Sequence, residues 1–221
     1  MSDILTAHNL RIVRDGQTLI QDMSFSLQAG KITMLLGHNG AGKTVLTRAL
    51  HGLIDCDNGS VTAPPHAEQK MVFQKPILLR RTVREHFDYV CPGQSRDQAM
   101  AWLDTAGIAD LANRNCHTLS GGEQQKLALI GALAAEPKLL FLDEPSAHLD
   151  IDATIFIEDM IIKARDAGMT ILMISHSRSQ AERLAEHVLF LNKGRLVTSC
   201  SAADFFTTPQ NEIISQFLAH L

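Results

Sequence analysis

Along residues 19–27 apolar and polar positions alternate, with Met23, Phe25 and Leu27 set against Ser24 and Ser26. That period of two predicts a half-buried strand, and residues 4–13 read as another before it. Residues 31–36 form a short apolar strand that runs straight into Gly-His-Asn-Gly-Ala-Gly-Lys-Thr, and residues 45–52 continue as a helix. A further short strand is predicted at 70–74, stopped by Pro76. From 81 to about 135 the strand signal vanishes and helical patterns take over, with Trp102 and Leu103 among the apolar positions. Strands return at 138–142 and 170–174, each followed by a helical pattern, and that alternation implies a parallel sheet. A last β-pair, 187–191 and 195–198, turns at Asn192-Lys193-Gly194, and a short helix ends the chain. The prediction is an α/β fold. It has a mostly parallel sheet, an N-terminal antiparallel β part and a helical insertion, in one domain over 1–221 (core 1–75 and 136–221, helical subdomain about 76–135).

Composition narrows this only slightly. A chain of 221 residues that is 45% apolar can bury a substantial core. The net charge of −4 gives no reason to expect a nucleic-acid partner. Cys56, Cys91, Cys116 and Cys200 are scattered without metal-type spacing, so reduced thiols are expected. The first ten residues lack the basic and apolar regions of a signal peptide. The longest apolar run, 127–135, is far short of the roughly 18 residues of a membrane span. Any membrane role must therefore come through a partner.

Gly37-His38-Asn39-Gly40-Ala41-Gly42-Lys43-Thr44 fits G-x-x-x-x-G-K-[ST] between a strand and a helix. Its glycines let backbone N–H groups wrap phosphates, Lys43 would reach the β- and γ-phosphates, and Thr44 would hold Mg²⁺. With Val45, which opens the helix, this is a nucleotide site and marks a P-loop NTPase core. The apolar strand Leu139-Leu-Phe-Leu ends in Asp143-Glu144. Asp143 can coordinate Mg²⁺ through a water or hold Thr44, and Glu144 can orient or deprotonate the attacking water. Gln74 can touch Mg²⁺ and that water, and His176 can hydrogen-bond the γ-phosphate; each alone is more often structural. Asp150 can cap the helix that follows it. Leu119-Ser120-Gly121-Gly122-Glu123 opens a helix N-terminus suited to an anion, although the chain already has a phosphate cradle.

In order and spacing, GHNGAGKT, Gln74, LSGGEQQK, LLFLDE, SAHLD and His176 resemble the ATP-binding cassette (ABC) ATPases over nearly the whole chain. The resemblance implies ATP and Mg²⁺ as ligands. It also implies that two subunits stack head to tail, so that Ser120, Gly121 and Gly122 close on the γ-phosphate held by the partner's P-loop. By the same resemblance Gln74 lies in the loop joining core to insertion, Asp150 is a dimer-communication residue and His176 the switch histidine. The sequence departs from the family at three places. Counting back from Asp22-Met-Ser, the usual adenine-stacking aromatic is replaced by Arg14 or Val13, and Arg14 would stack through its guanidinium. Gly131 stands where an arginine is common. His38 lies inside the P-loop, with no catalytic role expected.

A stand-alone cassette of this size resembles the ATPase subunit of a bacterial importer. That implies an integral membrane permease, an extracytoplasmic solute-binding protein, and a cytoplasmic location on the membrane's inner face. In such importers the stretch after Gln74 receives the permease; Ile77, Leu78 and Leu79, beside Arg80 and Arg81, would suit that contact if exposed, and the alternative is that the leucines only pack the insertion. The segment MVFQKPILLRRTVREH is similar to tungstate-type oxyanion importer ATPases. A non-transport cassette ATPase of the single-cassette, cluster-assembly kind shares every catalytic residue and stays open. A GTPase does not fit, because Asn192-Lys193-Gly194-Arg195 breaks N-K-x-D at its last position.

Overall fold

A computed structural model describes residues 2–208 and 211–220. In chain order the elements are β1 (Asp3–Arg14), β2 (Gln17–Gln28), β3 (Ile32–Gly37), α1 (Lys43–His51), β4 (Asn58–Thr62) and β5 (Gln69–Val72). Then come α2 (Val83–Val90), α3 (Arg96–Thr105), α4 (Gly121–Leu133), β6 (Leu139–Asp143), α5 (Ile151–Asp166), β7 (Thr170–Ile174) and α6 (Arg178–Leu184). The chain closes with β8 (His187–Asn192), β9 (Arg195–Ser201), α7 (Ala202–Thr207) and α8 (Glu212–His220).

The strands form two sheets, an antiparallel one ordered β2-β1-β4 and a second ordered β5-β6-β7-β3-β8-β9. In the second sheet only β8–β9 is antiparallel. β3, β6 and β7 are buried at every position, as a parallel sheet covered on both faces requires. In β1 the buried set changes phase, from Leu5 and Ala7 to Leu10 and Ile12, and Asn9 at φ 49° sits at the change. Asp22 at φ 47° does the same in β2, between Ile20 and Met23. The pairing register shifts across both residues, so bulges keep the apolar side chains on one face despite the broken alternation.

Three hydrophobic clusters result. One face of the large sheet packs on α4 to α8 through residues such as Leu133, Ile157, Ile161, Leu184 and Phe217. The other face packs on α1 and the antiparallel sheet through Leu46, Leu50, Met23 and Phe25. The third lies among α2, α3 and α4, around Val83, Phe87, Leu103 and Leu127. α4 serves two of them: Leu127 and Ile130 face the helical cluster while Leu129 and Leu133 face the sheet. That explains why it is apolar nearly all round.

Some predicted boundaries move. β5 ends at Val72, so Gln74 lies in a loop beyond the strand instead of closing it. The helical region opens at Val83, where the Thr82 hydroxyl and the Glu85 carboxylate complete a capping box. β4 was not predicted, because Asn-Gly-Ser-Val-Thr carries one apolar residue; it is held at the sheet edge by pairing with β1. The C-terminal segment holds two helices, α7 and α8, where one was expected. For function the main point is topological. β6, β7 and β3 are neighbours, so the segments following them, which carry Glu144, His176 and the phosphate loop, meet at the sheet's C-terminal edge.

Candidate functional site

β3 ends at Gly37, where a Cβ would collide with the Leu191 carbonyl. The loop then turns through Gly40 at φ 76° and enters α1 at Gly42, φ 101°, conformations that L side chains adopt only with strain. His38, Asn39 and Gly40 are exposed, Ala41 and Lys43 are buried, and Thr44 and Val45 are half-buried. Gly42 has no side chain to cap α1, so no side-chain cap occupies the helix's first N–H groups, which lack intrahelical partners. Lys43 Nζ donates to the carbonyls of Gly37 at 2.7 Å and His38 at 3.1 Å. Burial lowers the Lys43 pKa, and the nearby Glu144 and Asp143 carboxylates oppose that. The His38 ring stands edge-on to Phe217 of α8, at 5.2 Å between centroids.

Asp143, only 4% exposed, accepts a hydrogen bond from Thr44 Oγ1 at 3.3 Å. Burial raises its carboxyl pKa, and the Thr44 hydroxyl opposes the shift. Thr44 and Asp143 line one cleft together with Gln74. Hydroxyl, carboxylate and amide oxygens are the donors Mg²⁺ prefers. Among the described residues no three His, Cys, Asp or Glu form a metal cage. Mg²⁺ is ordinarily held by one or two side chains plus phosphates and water.

Glu144 adopts φ 51°, its N–H donating to the Ile174 carbonyl at 3.2 Å. A non-glycine residue in that conformation costs on the order of 1 kcal/mol or more, and such residues cluster at functional sites. Both carboxylate oxygens are engaged: Oε1 lies 2.8 Å from His176 Nε2, and Oε2 accepts from Gln74 Nε2 at 2.9 Å. The three residues the sequence singled out for water and γ-phosphate thus form one hydrogen-bonded group. They line a cleft of about 580 Å³ beside Asn39, and no residue of 120–122 lines it.

Ser120 is the N-cap of α4 and forms a capping box with Glu123. A Cβ at Gly121 would meet nothing within 4 Å, and one at Gly122 only Ala153 Cβ at 3.4 Å. Neither packing nor a positive φ demands glycine at 121. Asp150 caps α5, accepting from the Ala153 N–H at 2.7 Å. Arg14 donates to the Val13 carbonyl (2.6 Å), the Asp55 carbonyl (2.7 Å) and Asp57 Oδ2 (3.0 Å). Hydrogen bonds at the edges of a guanidinium leave its faces for stacking.

The segment after Gln74 divides. Ile77 is 73% exposed, whereas Leu78 and Leu79 are half-buried; Leu78 packs on the helical cluster and the Leu79 N–H donates to His86 Nδ1 at 3.3 Å. Leu78 thus packs the insertion, as the alternative for the leucines expected, while Ile77 stays open to solvent and neither leucine is fully exposed. Ile77, Tyr89, Val90 and Gly131 line a neighbouring groove. A Cβ at Gly131 would stand 3.0 Å from Val90 Cγ2, so glycine lets α2 approach α4 closely.

Sequence reasoning missed Gln125, whose amide donates to the Phe73 carbonyl at 3.4 Å and so ties α4 to the Gln74 loop. It also missed Ser146, Ser175 and Gln180, which line the Glu144 cleft. Isolated serines and glutamines carry no spacing signal; only the fold brings them together.

The comparisons agree with this geometry. The family model described as ABC transporter matches residues 20–147. The chain is 37% identical over 206 residues to a tungstate uptake system ATP-binding protein of Peptoclostridium acidaminophilum, covering 87% of this chain and 96% of that one. It is 35% identical over 189 residues to an aliphatic sulfonates import ATP-binding protein of Yersinia pestis, covering 82% and 70%. A solved ATP-binding subunit of an ABC transporter superposes with a TM-score of 0.86 at 22% identity over 97% of this chain, which establishes the fold. The sequence match and the grouping of Lys43, Thr44, Asp143 and Glu144 at one sheet edge lead to the same conclusion: the chain belongs to the ABC transporter family, as an ATP-binding subunit that hydrolyses ATP.

Proposed function

We propose that the chain powers a membrane permease by closing head to tail with a second copy around two ATP molecules. The observation that carries this reading is the pairing of the hydrogen-bonded Gln74–Glu144–His176 group with an open helix N-terminus at Ser120–Gly122 that takes no part in it. Lys43 and the P-loop N–H groups hold the phosphates. Thr44, Asp143 and Gln74 would hold Mg²⁺, which supplies charge neutralisation at the β- and γ-phosphate oxygens. Glu144 takes the proton of the attacking water or orients it, and His176 donates to the γ-phosphate. Each Glu144 oxygen keeps a second lone pair for the attacking water, and a γ-phosphate competes for His176. Ser120 Oγ and the N–H groups of Gly121 and Gly122 complete the site in the other copy. Arg14 presents a guanidinium face to the adenine.

For the membrane partner, the exposed Ile77 and Tyr89 border a groove next to the Gln74 loop, where a permease helix would act directly on the hydrolytic group. Among the described residues no helix is long and apolar enough to cross a membrane, so attachment would come through that partner. The names of the similar proteins favour an importer, with an oxyanion such as tungstate as cargo. A solute-binding protein outside the membrane and a cassette on its cytoplasmic face are what an importer of this family would add. The test is affinity purification of the tagged chain from mild-detergent extracts. A stoichiometric polytopic membrane protein supports the reading; a ribosomal, DNA-bound or cluster-assembly partner overturns transport while leaving the ATPase in place.

A further inference from the structure

Beneath the Glu144 cleft lies a polar network that the hydrolytic scheme does not use. Gln180 of α6 is 3% exposed, and its amide is hydrogen-bonded at three points. Its Oε1 accepts from Ser175 Oγ at 2.7 Å, and its Nε2 donates to Ser146 Oγ at 2.8 Å and to Glu158 Oε1 at 2.9 Å. Glu158 of α5 is itself buried and is neutralised by Arg183, whose Nη2 lies 2.6 and 2.7 Å from its two oxygens. Ser175 also accepts from the Ser177 N–H at 3.0 Å, so its hydroxyl pins the turn carrying His176. Ser146 lies two residues beyond Glu144, in the loop that leads to Asp150 and α5. One side chain thus joins the segment after β6 to the segment after β7, and anchors both to the two helices beneath.

We propose that Gln180 is a positioning residue for hydrolysis: it sets the spacing of Glu144 and His176 by holding Ser146 and Ser175 together against the Glu158–Arg183 pair. The chemistry requires an amide. One acceptor and two donors must stand on one planar group, and a carboxylate would face Glu158 with a second negative charge in a buried site. A leucine fills similar space but leaves two serine hydroxyls and a carboxylate oxygen short of a partner. A displacement of about 1 Å in a reacting constellation costs on the order of 10²-fold in rate. The P-loop contacts none of these groups through a hydrogen bond, so nucleotide affinity is expected to be untouched.

The inference rests on Glu144 and His176 being the hydrolytic pair, and the experiment separates the two claims. Gln180→Leu, Ser146→Ala, Ser175→Ala, Ser146→Thr and Glu144→Gln are compared for kcat, KM, fluorescent-nucleotide affinity and melting temperature. Gln180→Leu is expected to lower kcat roughly 10- to 100-fold with KM and affinity within about twofold. The two alanine variants lose several-fold each, and Ser146→Thr, which keeps the hydroxyl, restores turnover. A network that only stabilises the fold lowers the melting temperature and leaves kcat per folded molecule unchanged, and that result overturns the proposal. Should Gln180→Leu fail to fold, the serine variants decide. Full activity in Glu144→Gln refutes the catalytic assignment and the brace with it; an inert Glu144→Gln beside fully active Gln180 and serine variants refutes the brace alone.

Discussion

Replacing Glu144 by glutamine changes one atom in a group whose geometry the structure defines closely. The amide oxygen can still accept from Gln74 Nε2, and the amide NH₂ can face His176 Nε2, which a neutral imidazole offers as an acceptor once its proton sits on Nδ1. Both contacts survive, and so does the backbone bond from residue 144 to Ile174. What disappears is the base. A positioned general base contributes about 10²–10⁴-fold, which at 1.36 kcal/mol per tenfold is roughly 2.7–5.4 kcal/mol of barrier. The fold should be nearly indifferent, within about 0.5 kcal/mol, because no cavity or unpaired buried group is created. ATP binding should not weaken, since a negative charge near Lys43 and the phosphates has been removed. The assay is single-turnover hydrolysis at saturating Mg·ATP, with binding measured separately by a fluorescent analogue, and with light scattering to detect a dimer trapped before hydrolysis. Turnover within tenfold of the parent, with normal binding, would refute Glu144 as the base.

Three further outcomes follow from the same geometry. Asp143→Asn should lose Mg²⁺-dependent hydrolysis while leaving the fold at least as stable, because burial penalises the ionised carboxylate; a clearly lower melting temperature contradicts that account. Burial lowers the pKa of His51, His86 and His187 below 6.5, so they stay neutral in the fold while the unfolded chain takes up protons. Stability should therefore fall as pH drops below about 6.5, read as urea midpoints at several pH values, and a flat profile from pH 7.5 to 5.5 would contradict it. Ile77→Asp should leave nucleotide binding and melting temperature unchanged, since the side chain is exposed, and should reduce co-purification of the membrane partner; undiminished capture would remove Ile77 from the docking surface.

Much of this was legible in the sequence for definite physical reasons. Period-two alternation in β2 and near-continuous apolar runs in β3, β6 and β7 reflect burial on one face or on both. The glycines and Lys43 announce their loop because phosphate chemistry fixes their spacing. β4 was invisible because its pairing with β1, and not its own apolar content, makes it a strand. The bulges at Asn9 and Asp22 likewise depend on the neighbouring strand's register. Gln74 and His176 were each weak alone and become informative only when seen 2.9 and 2.8 Å from the same carboxylate. Gln180, Ser146 and Ser175 had no sequence signal, since three uncharged polar residues acquire meaning only through a shared buried hydrogen-bond geometry.

The composite site is the central claim, and subunit mixing tests it most directly. Lys43→Ala disables the phosphate loop and Ser120→Arg fills the open helix N-terminus, so each variant alone should be inactive. In a mixed dimer, the intact P-loop of the Ser120→Arg subunit meets the intact Ser120–Gly122 element of the Lys43→Ala subunit. The account predicts that combining the two inert proteins restores measurable ATP hydrolysis, rising with the fraction of mixed dimer. If cross-linking shows mixed dimers and hydrolysis stays at background, or if Ser120→Arg alone keeps normal turnover, the element does not act in trans and the account is wrong.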